Sequence, residues 1–447
     1  MPLPEPPSRQ SLARLILFQE IRNLLLSPAL WLMLIIISLL VGYSFIQAVD
    51  LFSRASRTAL DFPELASGMT PMDGIFVPTF GAYYLSQTLL LPFVAIRLIG
   101  LDKQSGALKL MLQLPLSPLG LCSLKLTAMG LVWLLSLLPG ALTLIIWYFL
   151  GGHLYLPEIL VLLLGHGLYG LTVITIGMLA ATVTDSLPTA AICCLAVTLG
   201  SWVLDFASAG QEGLWRLLGN LSLTSMLQQF ENGLLSSTSV ASFLLLALLF
   251  FSFTVLQLHP GKHPSTRIWQ SLVSLLLLTL VGLGAFQMPL YLDATENRRH
   301  SFSQADNRAL RQILDPLTLT IHLDPQDSRL QDMENDILGK LRRTVPHLTI
   351  RYSTTPSADL FHSATSDNYG LIQYTYGDRD DESYSNSEQE ILSIIYTLAD
   401  IQVKQEGRKL STGYPLVAQA KGSGWWFYLL LPLLFSGAGL YGRKGKW

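Results

Sequence analysis

The chain has 447 residues, of which 50% are hydrophobic and 13% are charged. An ordinary soluble protein carries about 25% charged residues, so a fully soluble fold is excluded. The net charge of -2 says little, because the charges are segregated along the chain, and we expect contacts with membrane lipids rather than with nucleic acid.

The N-terminal segment, residues 1–28, predicts a helix that lies in the cytoplasmic membrane interface. It is apolar on a broad side, and its opposite side carries polar residues that include Glu20 and Arg22. Ser27 and Pro28 break this helix before the first long apolar run. That run is too long for the core of a signal peptide, so we expect it to be retained as a membrane span.

Eight apolar runs approach the length of about 20 residues that a transmembrane helix needs. The predicted spans are 29–49, 79–99, 121–150, 156–183, 187–204, 240–258, 268–291 and 424–441. The sequence therefore predicts a polytopic α-helical membrane protein with a short tail at 442–447.

Basic residues give the predicted orientation of these spans. With the N-terminus in the cytoplasm, the inner segments hold Arg9, Arg14, Arg22, Arg97, Lys103, Lys109, Lys125, Lys262, Arg267, Arg443, Lys444 and Lys446, and the short outer loops hold Arg54, Arg57 and Arg216. This excess agrees with the positive-inside rule. We expect both termini in the cytoplasm and residues 292–423 on the outer side.

The stretch 97–125 separates the second and third predicted spans. Its apolar residues recur at helical spacing and predict a short cytoplasmic amphipathic helix at about 100–118, ended by two prolines. The candidate contact residues of this helix are Leu108, Met111, Leu112 and Leu114. Two interpretations stay open: the helix binds in a groove of a partner protein, or it lies on anionic lipid with its lysines among the headgroups.

His166 is the main ionisable residue deep in the predicted spans. Such residues often mark function, and one interpretation is a polar contact in a conduit. The other is a histidine bonded to the backbone of a neighbouring helix, which Gly165, Gly167 and Gly170 would allow to approach closely. The spans carry no chain of acidic residues for a proton relay, which disfavours a proton-driven carrier.

Residues 292–423 have the periodicity of a small α/β domain. Strands are predicted at 317–323, 348–353 and 369–376, and amphipathic helices at 329–345 and 387–403. In the second helix Ser387 and Glu390 form a capping-box pattern. We expect this segment to form an extracytoplasmic α/β domain inserted between the last two spans.

No catalytic pattern stands out in that domain. His322 and Asp324 lie two apart on a predicted strand, and residues 378–382 form an acidic run without the ligand spacing of a calcium loop. We expect a solvated loop there and no metal site. All three cysteines of the chain lie outside the domain, which excludes a cysteine nucleophile. We expect a binding or contact module and not an enzyme.

The energy source for any transport is expected in another chain. The sequence contains no GxxxxGK[ST] motif, so it has no P-loop with which to hydrolyse ATP. We expect no cofactor in this chain, and a separate cytoplasmic subunit that binds ATP and Mg²⁺.

Two stretches near the N-terminus carry a family resemblance. They are FQEIRNLLLSPALWLML at 18–34, with Glu20, Ser27 and Pro28, and ALKLMLQLPLSPLGLCSLKL at 107–126, with Leu110, Leu112, Leu114, Pro115, Ser117 and Lys125. Both resemble the ABC-type exporter permeases of the gliding-motility class. The resemblance implies a six-span permease domain over 29–260 with an outer cap at 205–239. It also implies that the 100–118 helix docks on a dimer of an ATPase subunit, and that the permease pairs with a second copy or a homologue.

A third stretch, LDATENRRHSFSQADNRALRQILDPLTLTIHL at 292–323, adds a second likeness. Asp293, Thr295, Ser301 and Ser303 match the start of the auxiliary subunit that accompanies those permeases, which has one span before this motif and one at its C-terminus. The chain thus resembles a permease fused to a shortened auxiliary subunit in the bacterial cytoplasmic (inner) membrane.

The resemblance implies the permease subunit of an ATP-driven export system, whose outer domain contacts substrate or periplasmic proteins. A second hypothesis is an ATPase-coupled mechanical or assembly protein that transmits force to periplasmic partners without transporting a substrate. A substrate-dependent ATPase rate would favour the first, and a stable protein complex on the outer domain would favour the second.

Overall fold

The computed structural model describes residues 9–62, 66, 68–208, 218–219, 221–287, 290–323, 327–353, 369–403 and 413–443. The chain divides into two compact units. A helical unit is formed by Met1–Val203, Leu223–Leu292 and Thr412–Trp447, and an α/β unit is formed by Leu204–Ser222 and Asp293–Ser411.

Within the described residues, eight helical stretches are long and apolar enough to cross a membrane. They are named spans one to eight in chain order: Pro28–Asp61, Met72–Ser105, Pro118–Phe149, Leu156–Val183, Leu187–Ser208, Ser237–Gln257, Pro264–Ala285 and Lys421–Gly442. The predicted number of spans is confirmed, and the protein is a multi-pass membrane protein.

Span one is longer than its hydropathy predicts. It continues about three turns past residue 49, because serines on this extension bind the backbone that leads into span eight. The Ser53 hydroxyl donates to the Ala418 carbonyl at 2.7 Å and accepts from the Ala418 amide at 3.0 Å. The Ser56 hydroxyl accepts from the Leu416 amide at 3.0 Å.

Three spans contain breaks in their helical backbone. Span two begins with a π-helical turn at Met72–Phe76 and continues as helices at Val77–Ala95 and Arg97–Ser105. Span three consists of helices at Pro118–Ser136 and Leu138–Phe149, and Pro139 lies in the first turn of the second helix. Span eight has a 3₁₀ turn at Lys421–Ser423, a π-helical turn at Trp425–Leu430 and a helix at Leu431–Arg443.

Span four is the most enclosed of the spans, with 72% of its apolar stretch buried, and it packs against spans two and six. Span one packs against spans two and eight, and span seven packs against span six. Three further helices belong to the helical unit: α1 (Arg9–Leu25), α2 (Ala107–Met111) and α3 (Leu223–Glu231). A short strand, β1 (Leu234–Ser236), pairs with β2 (Tyr291–Asp293).

The α/β unit contains a four-stranded sheet and a set of amphipathic helices. The strands are β3 (Leu317–Ile321), β4 (Leu348–Tyr352), β5 (Ile372–Tyr376) and β6 (Arg379–Ser383), and they lie in the order β4-β3-β5-β6. Strand β3 is parallel to β4 and antiparallel to β5, and β5 is antiparallel to β6. The helices are α4 (Gln304–Leu310), α5 (Ser328–Met333), a π-helical turn at Glu334–Leu338, α6 (Gly339–Thr344) and α7 (Glu388–Leu398).

The core of this unit lies between one face of the sheet and the helices. Alternate residues of β3 are buried in it, as period-two patterning requires. The helix predicted at 329–345 also buries its apolar residues in this core: Leu330, Met333, Ile337, Leu338 and Leu341. At the start of α7 the Ser387 hydroxyl accepts from the Glu390 amide at 3.3 Å. The Glu390 carboxylate accepts from Ser383 at 3.0 Å, so only half of the predicted capping box forms.

The acidic run at 378–382 is not the solvated loop that we expected. Residues 379–383 form the edge strand β6, which pairs with β5 after a tight turn in which Gly377 has a φ of +59°. Because four of its five side chains are exposed, the strand has no alternation of apolar residues that could reveal it in the sequence. The structure thus has one more strand than predicted in this unit.

Candidate functional site

The segment that connects spans two and three reverses direction at Gly106. The helix Arg97–Ser105 ends there, because Gly106 has a left-handed backbone with a φ of +81°. Helix α2 then makes little more than one turn, and the Ser117 hydroxyl caps span three by accepting from the Gly120 amide at 3.1 Å. The prediction of one amphipathic helix over about 100–118 is therefore wrong in detail, because the glycine divides it.

The exposed side chains of this connection differ from the predicted set. Leu108 is buried within the chain, whereas Leu110 is 66% exposed. Three more apolar residues, Met111, Leu112 and Leu114, are half-buried, and Pro115 and Ser117 are exposed. The surface that remains for a partner is therefore centred on Leu110 and not on Leu108. We call residues 109–117 the exposed connection.

Lys125, eight residues past the exposed connection, is buried and surrounded by acceptors. Its ammonium group lies 2.5 Å from the Glu20 carboxylate, 2.5 Å from the Asp102 carboxylate and 2.7 Å from the Leu98 carbonyl oxygen. Glu20 belongs to α1, Asp102 to the end of span two and Lys125 to span three. One cation thus joins three elements, and we call Glu20, Asp102 and Lys125 the ion cluster.

The ion cluster provides an acceptor for each hydrogen-bond donor of the buried Lys125 ammonium group. An ammonium group has three donors and no acceptor, and here three oxygens receive them. The Lys125 side chain is 1% exposed and that of Glu20 is 5% exposed. Burial raises the pKa of the Glu20 carboxyl, and the attraction of Lys125 offsets part of that rise.

Helix α1 ends just before span one begins. Ser27 is the N-cap residue of span one and Pro28 is its first residue, as the sequence predicts for a helix start. Ser27 is buried, and its side chain makes no capping hydrogen bond. Arg22 is exposed on α1, apart from the ion cluster.

Lys103 gives the same end of span two a second attachment. Its ammonium group donates to the carbonyl oxygens of Thr182 at 2.9 Å and Thr184 at 2.7 Å, and it lies 3.0 Å from the Asp185 carboxylate. A cation is stabilised at this position because the C-terminus of a helix, here span four, carries partial negative charge. Asp102 and Lys103 therefore tie the end of span two to α1, span three and span four.

Sequence reasoning identified Glu20 and Lys125 separately but did not pair them, and it missed Asp102 and Lys103. The stretch 97–125 does contain a pattern that could have revealed the ion cluster. A lysine flanked by apolar residues on both sides, as in LCSLKL, needs an acidic partner when it is buried. Asp102 is an acidic residue of the same stretch, residues 97–125.

His166 contacts a carboxylate instead of a neighbouring backbone. Its Nε2 atom lies 3.3 Å from Oε1 of Glu231, the last residue of α3. Gly165 allows this approach, because a Cβ there would lie 2.4 Å from the Cβ of Phe230 in α3. The segment 205–239, which the resemblance implies to be an outer cap, includes α3, which packs against span four, and its residues 209–217 and 220 lie outside the described residues.

Three of the four motif residues after span seven, Asp293, Thr295 and Ser301, meet at the Asp293 carboxylate. Asp293 accepts from the Thr295 amide at 3.1 Å, the Thr295 hydroxyl, the His300 amide at 3.0 Å and the Ser301 hydroxyl at 2.5 Å. Ser303 caps α4 by accepting from the Asp306 amide at 3.1 Å. These residues shape the backbone at the start of the α/β unit.

The ionisation of Asp293 reflects these contacts. Burial alone would raise the pKa of its carboxyl, but the hydrogen bonds from Ser301 and Thr295 outweigh that effect and hold the pKa below its ordinary value.

Among the described residues, no group of three or more His, Cys, Asp or Glu side chains could hold a metal ion. The Nε2 atom of His322, just after β3, lies 3.5 Å from Oε1 of Gln373 in the neighbouring strand β5. Asp324 falls outside the described residues.

Comparison with known proteins gives no match: no family model, no curated protein and no solved structure is similar to this chain.

Proposed function

We propose that this protein is the permease subunit of an ATP-driven export system and that its exposed connection binds a separate ATPase subunit. The observation that carries the proposal is the ion cluster. An exposed segment that carries the apolar side chain of Leu110 is followed, eight residues later, by a buried cation that joins α1, span two and span three.

The attachment explains how a force on the exposed connection would reach the spans. The exposed connection begins six residues after Lys103 and ends eight residues before Lys125. A partner that displaces it would act on α1 and span three through the ion cluster, and on span four through Lys103. Packed helices joined in this way move together more readily than they deform.

The proposed orientation follows from the basic residues. The exposed connection and the ion cluster lie at the cytoplasmic ends of their spans, in keeping with the positive-inside rule. The even number of spans then returns the C-terminus to the cytoplasm, and the α/β unit lies outside, in contact with substrate or periplasmic proteins. The proposed membrane is the bacterial cytoplasmic membrane.

The proposed roles need no cofactor in this chain. The partner ATPase subunit, acting as a dimer, would bind ATP and Mg²⁺, and a second copy of this chain or a homologue would complete the transport path. The α/β unit would act as a contact module and not as an enzyme.

Purification of the tagged chain from its native membrane tests the proposal. The copurifying proteins are identified by mass spectrometry, and ATP hydrolysis is measured in the same sample. We expect a stoichiometric P-loop ATPase. We also expect Leu110→Asp to lower its recovery by about tenfold or more, because an ionised carboxylate without a partner is costly to bury at an apolar contact.

Leu314→Asp is the matched control, because Leu314 is a 73% exposed leucine of the α/β unit. It is expected to leave ATPase recovery unchanged. Absence of an ATPase from the wild-type preparation under several mild detergents would contradict the proposal. If an ATPase copurifies but its rate of ATP hydrolysis does not change with any candidate substrate, and a periplasmic protein also copurifies, the alternative of a force-transmitting assembly protein is favoured.

A further inference from the structure

A buried pair of ionisable side chains lies inside the helical unit, apart from the ion cluster. His166 is fully buried in span four, and its Nε2 atom is 3.3 Å from Oε1 of Glu231 in α3. The rings of Phe80 and Tyr83 enclose the imidazole, with ring centres 5.3 and 5.4 Å away. Neither ring nitrogen of His166 has a well-formed hydrogen bond.

The surroundings of this pair are polar but uncharged. Tyr83 bonds Ser136 of span three at 2.7 Å and receives a hydrogen bond from Gln87 at 2.8 Å, and Tyr84 bonds Thr224 of α3 at 2.9 Å. Of the titratable side chains around the pair, Tyr83 is in ring contact with His166, and the Tyr84 hydroxyl lies near Glu231.

Other charged groups lie further along the packed elements. Glu158 is in the first turn of span four, eight residues and so about 12 Å from His166. Arg97, Asp102 and Lys103 of span two pack near the opposite end of span four. Among the described residues, Glu231 forms no ion pair with a lysine or an arginine.

The burial of both groups restricts the net charge that the pair can carry. A carboxylate beside a neutral imidazole would leave one uncompensated negative charge in an apolar bundle, which is strongly disfavoured. An imidazolium with a carboxylate, or an imidazole with a carboxylic acid, has no net charge. Both of these states contain one proton more than the disfavoured state.

We propose that His166 and Glu231 form a proton-binding site that holds α3 against span four. One proton is taken up when α3 seats on the span, and loss of that proton weakens the attachment. The inference goes beyond the proposed function, because it depends only on span four, α3 and the side chains around them.

Hydrogen exchange of the α3 amides tests this site on the full-length chain in detergent. Exchange is followed by mass spectrometry from about pH 6 to about pH 10, on both sides of neutrality. Rates are corrected for intrinsic exchange with an unstructured peptide, and helix α7 serves as the internal reference. We expect the protection of α3 to fall with rising pH by up to about tenfold per pH unit, the linkage of one proton.

The double variant His166→Gln/Glu231→Gln provides the comparison, because two amides can bond without a proton. Its α3 protection is expected to lose this pH dependence, while Glu158→Gln keeps the wild-type profile. Equal pH profiles in the wild type and the double variant would overturn the proposal. If the double variant does not fold, the wild type alone provides the test. The proposal would then be overturned if the exchange protection of α3 changed with pH in parallel with that of α7.

Discussion

The ion cluster of the helical unit and the Arg329–Asp327 pair of the α/β unit differ in how far water reaches them. In the helical unit, Lys125, Glu20 and Asp102 are largely buried and depend on one another. In the α/β unit, Arg329 pairs with Asp327 at 2.7 Å, but half of the arginine side chain stays exposed. Water can therefore replace the partner in the second pair, but it has little access to the first.

This contrast shows where a substitution should matter. A buried charge that loses its partner keeps the cost of its burial, whereas an exposed one is solvated. Substitutions of single charged residues should therefore be severe at the ion cluster, moderate at the partly buried Asp293 loop and weak at exposed pairs.

The largest effect is expected from Lys125→Met. It leaves Glu20 and Asp102 close together without their cation, and we expect the helical unit to lose about 3–5 kcal/mol of stability. Recovery of monodisperse protein from detergent extracts and the thermal denaturation midpoint measure this loss.

The neutralised variant Lys125→Met/Glu20→Gln/Asp102→Asn is the control for that prediction. It removes the unpaired charges together with the lysine, so it should recover much of the lost stability. A triple variant as unstable as Lys125→Met would mean that the side-chain packing of the lysine, and not its charge, stabilises this end of the bundle.

A moderate effect is expected from Asp293→Asn. The amide cannot accept from all the donors that meet the Asp293 carboxylate, and we expect a loss of about 1–3 kcal/mol in the α/β unit. Hydrogen exchange of β3 in the full-length chain measures this loss. Asp315→Asn, at an exposed aspartate, should leave the exchange of β3 unchanged.

The same loop predicts a dependence on pH. The pKa of Asp293 is held below its ordinary value of 3.8, so its stabilising contribution is fully present above about pH 4. That contribution is lost as the pH falls through the lower pKa of the folded state. Asp293→Asn should therefore reduce the acid sensitivity of β3 exchange, and an unchanged acid profile would contradict this account of the loop.

The smallest effect is expected from Arg329→Ala. Its partner Asp327 retains a hydrogen bond from the Tyr369 hydroxyl at 2.7 Å, and an exposed pair contributes less than about 1 kcal/mol. A loss as large as that of Asp293→Asn would break the proposed contrast between buried and exposed charges.

Local pattern predicted much of this fold from the sequence. Hydropathy located all eight spans, because a long apolar run has few alternatives to a membrane helix. Alternation and helical spacing located β3, β4 and α7 in the same way. Strand β6 was missed, because an exposed charged strand has no apolar pattern and is fixed only by pairing with β5.

The candidate site could be predicted only in part, because its contacts join residues far apart in the chain. Glu20 and Lys125 are 105 residues apart, and neither local pattern shows that they meet. His166 was recognised as unusual, but Glu231 lies in a short helix that hydropathy does not single out. The prediction of one helix over about 100–118 was wrong because of Gly106. Apolar spacing alone would continue the helix, but the left-handed backbone of this glycine divides it.

The most direct test of the central claim is site-specific photocrosslinking in intact membranes. A photoreactive amino acid replaces Leu110, which is exposed, or Leu108, two residues earlier and buried. The account predicts that position 110 crosslinks to a P-loop ATPase in an ATP-dependent manner and that position 108 does not. Crosslinks from position 110 to lipid alone would contradict the account, because the exposed connection would then lie on the membrane and not on a motor subunit.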